Sequence, residues 1–137
     1  SVYGSAWSAF GEPLQPITQD TCVFHDDQAI ITAPRIAKDD SEADQFAAAF
    51  GDKKCAIQIG HGLFTTGHSV DEAAWWFISM DKACQVQLLA RAAGSPAQWP
   101  DAAALGVAKA LGSPQFGWMS FQTLWDEIIA SDPELLD

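Results

Sequence analysis

The segment that most constrains the fold is residues 69–93, SVDEAAWWFISMDKACQVQLLARAA. Ser69 and Glu72 have the spacing of a capping box, in which the hydroxyl takes an orphan amide and the carboxylate reaches back. Asp71 and Glu72 suit the positive end of the helix dipole, and Gly94 and Pro96 stop the helix. The 24 residues after the cap give a helix about 36 Å long. Its apolar residues wrap most of the circumference, so it needs a sheet on one side and other protein on the other. Trp75 and Trp76 project about 100° apart on such a helix. One is expected on the sheet and the other at a second surface, where an aromatic side chain suits a subunit interface. Core packing is the competing reading for each.

The flanking segments supply what the long helix needs, though thinly. KKCAIQIG reads as a buried strand and GLFTTG as a second strand that follows at once, with glycines letting the chain turn or bulge between them. AIITAP reads as a short strand ended by Pro34. Residues 41–50 are expected to be helical, with Ser41 as cap and Gly51 past the end. Residues 1–11 carry Val2, Ala6, Ala9 and Phe10 at helical spacing, and with no cap ahead of them this helix is expected to begin before Ser1. Residues 18–25 form a short helix capped by Thr18. After the linker GSPAQWPD come an alanine-rich helix at 101–111 and a last helix from 116, with Phe121, Leu124, Trp125 and Ile128 on one stripe. The order is that of an α/β layered domain. Three short strands, however, make a poor sheet unless something completes it.

The 137 residues suit one domain, and 48% apolar content is enough for a core. The net charge of −11 argues against nucleic-acid or anionic-membrane binding, which needs basic stripes. No run approaches the roughly 18 apolar residues of a membrane span, and no signal-peptide pattern opens the chain. A cytoplasmic location is the expectation, and the absence of an initiator Met at Ser1 leaves room for a removed segment. Cys22, Cys55 and Cys84 are scattered and odd in number, which disfavours a zinc knuckle or disulfide framework and favours buried free thiols.

Chemistry-bearing residues are few. His61 follows a buried strand between two glycines, a good position for a divalent-metal ligand, although a metal needs three or four ligands and a histidine bonded within its turn is the alternative. His68 precedes the cap Ser69 and is expected at an exposed helix entry. The two lie seven residues apart across a strand and so point apart, unlike an HExxH pair. His25 heads HDD, whose adjacent residues are poorly placed to converge on one ion, so a solvated loop or helix end is expected. Arg35, Lys38 and Arg91 are expected to be solvated or at helix ends. GxSxG, P-loop and GxGxxG patterns are absent.

CAIQIGHGLFTTGHSVDEAAWWFISMDKACQVQLLARAAG resembles the C-terminal half of the class II aldolase/adducin domain, where a strand ends in His-Gly-Leu and a G-x-[ST]-hydrophobic-[DE]-E-A turn opens a long helix. YGSAWSAFGEPLQPITQDTCVFHDD resembles the segment after that family's metal-binding His-x-His, and GWMSFQTLWDEIIASDPELLD the tail of its adducin-like members. The resemblance implies that residues 1–137 form a single domain equivalent to the C-terminal part of the family's α/β/α sandwich, built around a mainly antiparallel sheet. It implies a homo-oligomer with sites at subunit interfaces. It also implies a divalent metal, zinc or a relative, held by three histidines of which His61 matches the third. The other two histidines, the acidic base and the phosphate-binding loops belong to the family's N-terminal half, so no catalytic residue is assigned here and a separate N-terminal segment is an expected partner. The implied activity is lyase chemistry on a small carbonyl or sugar-type substrate. The alternatives are an adducin-like, non-catalytic oligomerisation or binding module, and a truncated bioactive fragment.

Overall fold

The computed structural model describes residues 1–32 and 38–136. Six α-helices and a three-stranded sheet are present among them, in the order α1 (Val2–Ser8), α2 (Gln19–Cys22), β1 (Gln28–Ile31), α3 (Asp40–Phe50), β2 (Cys55–Gln58), β3 (Gly62–Thr65), α4 (Val70–Ala93), α5 (Asp101–Leu111) and α6 (Pro114–Ser131), followed by a 3₁₀ turn at Pro133–Leu136. This is the expected mixed α/β class. Pro34 and Arg35 lie outside the described residues.

The sheet order is β1-β2-β3. β2 and β3 pair antiparallel, with Gln58 opposite Gly62. β1 pairs parallel with β2, with Gln28 opposite Cys55, and α3 lies in the connection that a parallel pair requires. Because side chains alternate across a strand, this register sorts the sheet into two faces. Cys55, Ile57 and Leu63 join Trp7, Phe24, Trp76, Met80 and Cys84 in the main core beneath α1 and α4. Ala29, Ile31 and Ala56 face the opposite way, toward Phe50 and Phe46 of α3. Helices therefore cover both faces, and α6 packs on α4.

α4 spans the expected residues. Ser69 caps it by accepting from the Glu72 N–H, and Gly94 ends it. Trp76 is buried in the core, and Trp75 also packs against that core from a half-buried position. The second surface of α4 carries Val70, Phe77, Ile78 and Leu89 instead, all exposed.

Three helix starts and one helix length differ from expectation. α6 begins at Pro114, capped by Ser113, rather than at 116. Ser1 itself caps α1, accepting from the Gly4 N–H. The cap of α3 is Asp39, which accepts from the Glu42 N–H, so Ser41 lies inside the helix. The residues expected to be helical at 18–25 hold only four, Gln19–Cys22, because the reciprocal bonds of Thr18 and Thr21 close a tight first turn that is not propagated.

Candidate functional site

His61 sits at the tip of the β2–β3 hairpin. Its N–H donates to the Gln58 carbonyl at 3.1 Å, closing a tight turn. Gly60 has φ +69°, the left-handed conformation that such a turn demands of its third residue. The tip is clamped from two sides. The Ile59 N–H donates to Ile31 O of β1 at 3.0 Å, and the Gly60 N–H to Ser8 O of α1 at 3.2 Å. The His61 side chain is exposed and lies flat against Phe64, with ring centroids 5.8 Å apart and planes 14° from parallel. Phe64 in turn meets Phe46 edge-on at 5.0 Å. The hairpin thus holds an imidazole out to solvent on a fixed backbone. Such a ring can offer a nitrogen lone pair or carry a proton.

The other two histidines do not join it. His68 is 83% exposed at the α4 entry, as expected. Glu72 reaches past Ser69 and accepts the His68 N–H at 2.6 Å, so the capping box closes one residue earlier than its spacing predicts. The same carboxylate accepts Trp76 Nε1–H at 3.0 Å and lies 3.1 Å from His68 Nδ1. Burial pushes the Glu72 carboxyl up, but the hydrogen bonds from Trp76 and His68 outweigh it and hold the group below its ordinary range.

Of the two placements expected for His25, a solvated loop or a helix end, the structure has the second. It lies just past α2, its side chain is 19% exposed, and its Nε2 lies 2.8 Å from Asp101 Oδ1, at the first residue of α5. The HDD triplet does diverge. Asp27 pairs with Lys54 at 3.2 Å, while the carbonyl of Asp26 accepts from Lys53 at 2.7 Å.

Sequence reasoning missed the role of Lys54. Its ammonium donates to Gly112 O at 2.7 Å, reaches Asp27, and lies 4.6 Å from the centroid of the Trp76 ring. It ties β2 to the end of α5 and to the core of α4. No local pattern announces a contact between residues 58 apart.

Arg91 stands in the last turn of α4, as expected, and also bonds Glu12 at 2.6 Å over the rings of Trp7 and Phe10. The Lys38 N–H donates to Glu42. All three cysteines are free and buried. Burial raises each thiol, Cys84 to about 12, so none has the low pKa of a nucleophile.

Among the described residues no group of three or more His, Cys, Asp or Glu is placed to share a metal ion. A structural or catalytic zinc takes three or four protein ligands. His61 offers one, and its neighbour in ring contact is Phe64. The described residues therefore do not by themselves fit a resident metal. No described helix is long and apolar enough to cross a membrane.

A mixed α/β layer with a histidine-tipped hairpin feeding a long capped helix defines the class of protein. The family model described as Class II Aldolase and Adducin N-terminal domain matches residues 1–88. The chain is 42% identical over 138 residues to Decarboxylase NovR of Streptomyces niveus, covering 98% of this chain and 50% of that protein. It is 41% identical over 138 residues to the 4-hydroxy-3-prenylphenylpyruvate oxygenase/4-hydroxy-3-prenylbenzoate synthase of Streptomyces roseochromogenus subsp. oscitans, covering 98% and 49%. Among solved structures, L-fuculose 1-phosphate aldolase from Glaciozyma antarctica PI12 superposes with a TM-score of 0.85 at 38% identity, over 98% of this chain and 51% of that one. The chain belongs to the class II aldolase/adducin family. It spans about half the length of the curated relatives named here. Class II aldolases generally use a divalent metal ion and are typically oligomeric.

Proposed function

We propose that this chain is part of a lyase unit that cleaves a carbon–carbon bond, by retro-aldol reaction or decarboxylation, in a small carbonyl or sugar-type compound. Residues 1–137 act as one domain, equivalent to the C-terminal part of the family's sandwich, in a cytoplasmic homo-oligomer. The observation that carries the reading is His61: an exposed imidazole on a clamped hairpin tip, in a chain of this family. His61 is this chain's contribution to a divalent-metal site, with zinc the favoured ion. The remaining ligands come from the part of the relatives' length that this chain does not span, or from a neighbouring subunit. A metal there would polarise a substrate carbonyl. What His61 contributes is position, because its backbone is fixed by β1 and α1 before any partner arrives. The decarboxylase relative and the aldolase structure, at 42% and 38% identity, support this reaction class.

The test is metal analysis and turnover on the product of the chain's own gene. About one divalent ion per chain is expected, with decarboxylase or retro-aldol activity. His61→Ala should lose the ion and at least about a hundredfold in turnover, with an unchanged far-UV spectrum. Full metal content and activity in His61→Ala would overturn the proposal. The exposed apolar side chains of α4 favour a second reading, an adducin-like binding module. A metal-free, inactive gene product that assembles into a defined oligomer would establish that reading instead.

A further inference from the structure

A cleft of about 620 Å³ opens at the other end of the sheet from His61. It borders Gln28, the first residue of β1, whereas His61 follows the last residue of β2, and β1 and β2 run parallel. Its volume lies within the range of small-molecule sites. Three separate segments wall it, and hydrogen bonds stitch them together. The Gln28 amide both accepts the Leu14 N–H at 2.8 Å and donates to Leu14 O at 3.1 Å. The Trp99 N–H donates to Pro16 O at 2.8 Å. The His25–Asp101 pair joins the end of the α2 segment to α5. The walls are therefore formed before a ligand enters.

The lining has a distinct chemistry. Pro13, Pro16 and Leu105 give an apolar body, and Trp99 adds an indole that is 37% exposed. The carboxylates are Asp26 and Asp101, the second of which already holds His25 Nε2 at 2.8 Å, and among the described residues that line the cleft there is no Lys or Arg. Lys53, which does not line the cleft, has its ammonium bonded to the Asp26 carbonyl at 2.7 Å. An aromatic face beside carboxylates attracts organic cations and repels anions. The chain's net charge of −11 adds to the same field. We propose that this cleft binds a small organic ammonium compound with a flat apolar body. The ammonium meets Asp26 and Asp101 while the body lies against Trp99 and the prolines. The site is independent of His61 and of the lyase reading.

Calorimetric titration of the gene product with three near-isosteric probes tests it: phenethylamine (cation), 2-phenylethanol (neutral) and phenylacetate (anion). Phenethylamine should bind one to one with a Kd of about 1 mM or tighter, as suits so small a ligand. The alcohol should bind about tenfold more weakly and phenylacetate not at all. Trp99→Ala and Asp26→Asn should each weaken phenethylamine at least about fivefold. Asn accepts the left-handed backbone of Asp26, at φ 57°, so this variant removes charge without straining the turn. Asp101→Asn should weaken binding too, but it also breaks the His25 pair, so Asp26→Asn is the cleaner arm. Equal binding of all three probes, no saturable binding of phenethylamine, or binding indifferent to Trp99→Ala and Asp26→Asn would each overturn the proposal.

Discussion

Replacing Glu72 with Gln isolates the contribution of the one carboxylate buried under the α4 entry. Two main donors reach it from opposite sides, Trp76 Nε1–H on Oε1 at 3.0 Å and the His68 N–H on Oε2 at 2.6 Å. An amide has the same shape but only one acceptor oxygen, so whichever way it flips, one donor faces an NH₂ group. Hydrogen bonds to a charged group contribute about 1.5–3 kcal/mol, and an unsatisfied buried donor costs about 1–3 kcal/mol. Glu72 is only 4% exposed, so little water can compensate. A loss of about 2–3 kcal/mol follows at pH 7, or roughly 6–12 °C in Tm for a chain of this size. The loss must also depend on pH. The folded Glu72 titrates below its ordinary 4.5, so between the two values the unfolded chain binds more protons than the native one. The stabilisation from its charge is complete above about pH 4.5 and disappears as pH falls through the lowered folded value. Thermal melts of both proteins from pH 7 to pH 3 should show the gap in Tm closing at the acid end. A gap under about 2 °C at pH 7, or one that stays constant across the range, would refute the assignment of charge-assisted bonding.

Gly117→Ala tests the packing of α6 on the same cluster. In an open helix interior the change stabilises by about 1 kcal/mol, but here a Cβ would lie 2.6 Å from Trp76 Cζ2 and 3.0 Å from Glu72 Cγ. Overpacking of this kind costs about 1–3 kcal/mol, so the melting temperature should fall, and a rise would show that the helices separate freely. The cysteines give a third test. Native protein at pH 8 should resist a thiol-disulfide reagent, whereas all three thiols should react in denaturant, because burial keeps the thiolates unformed and holds Cys84 near 12. A stoichiometric fast phase in native buffer would contradict this.

Helix α4 was legible in the sequence because its signals are local. Ser69 reaches an amide three residues away, and Gly94 ends the helix within one peptide of where the pattern ends. The same holds for α5 and for the three strands, whose apolar runs the structure places on the two faces of one sheet. The cap of α3 was harder to place because Asp39, Asp40 and Ser41 are three capping residues in a row. The geometry selects Asp39 because its carboxylate reaches the Glu42 N–H. What stayed hidden is what folding brings together over long separations. His25 finds Asp101 76 residues away, and Lys54 finds Asp27, Gly112 and Trp76 at once. A lysine before a strand reads as solvated, and only the assembled layers turn it into a buried tie. His61 was legible as a candidate because glycines flank it. Its separation from His68 followed from the sequence, and its ring contact with Phe64 did not.

The two main-chain bonds that hold the hairpin tip, Ile59 to Ile31 and Gly60 to Ser8, bear on how His61 would behave in any encounter. A loop histidine must be ordered anew each time something engages it, and that entropy subtracts from affinity on every occasion. Here the ordering is completed once, when β1 and α1 close on the turn during folding. Loosening either bond would therefore weaken engagement of His61 without touching its ring. Under the proposed role of His61, the residues that would tune its engagement extend to Ser8 and Ile31, which contribute only their carbonyl oxygens.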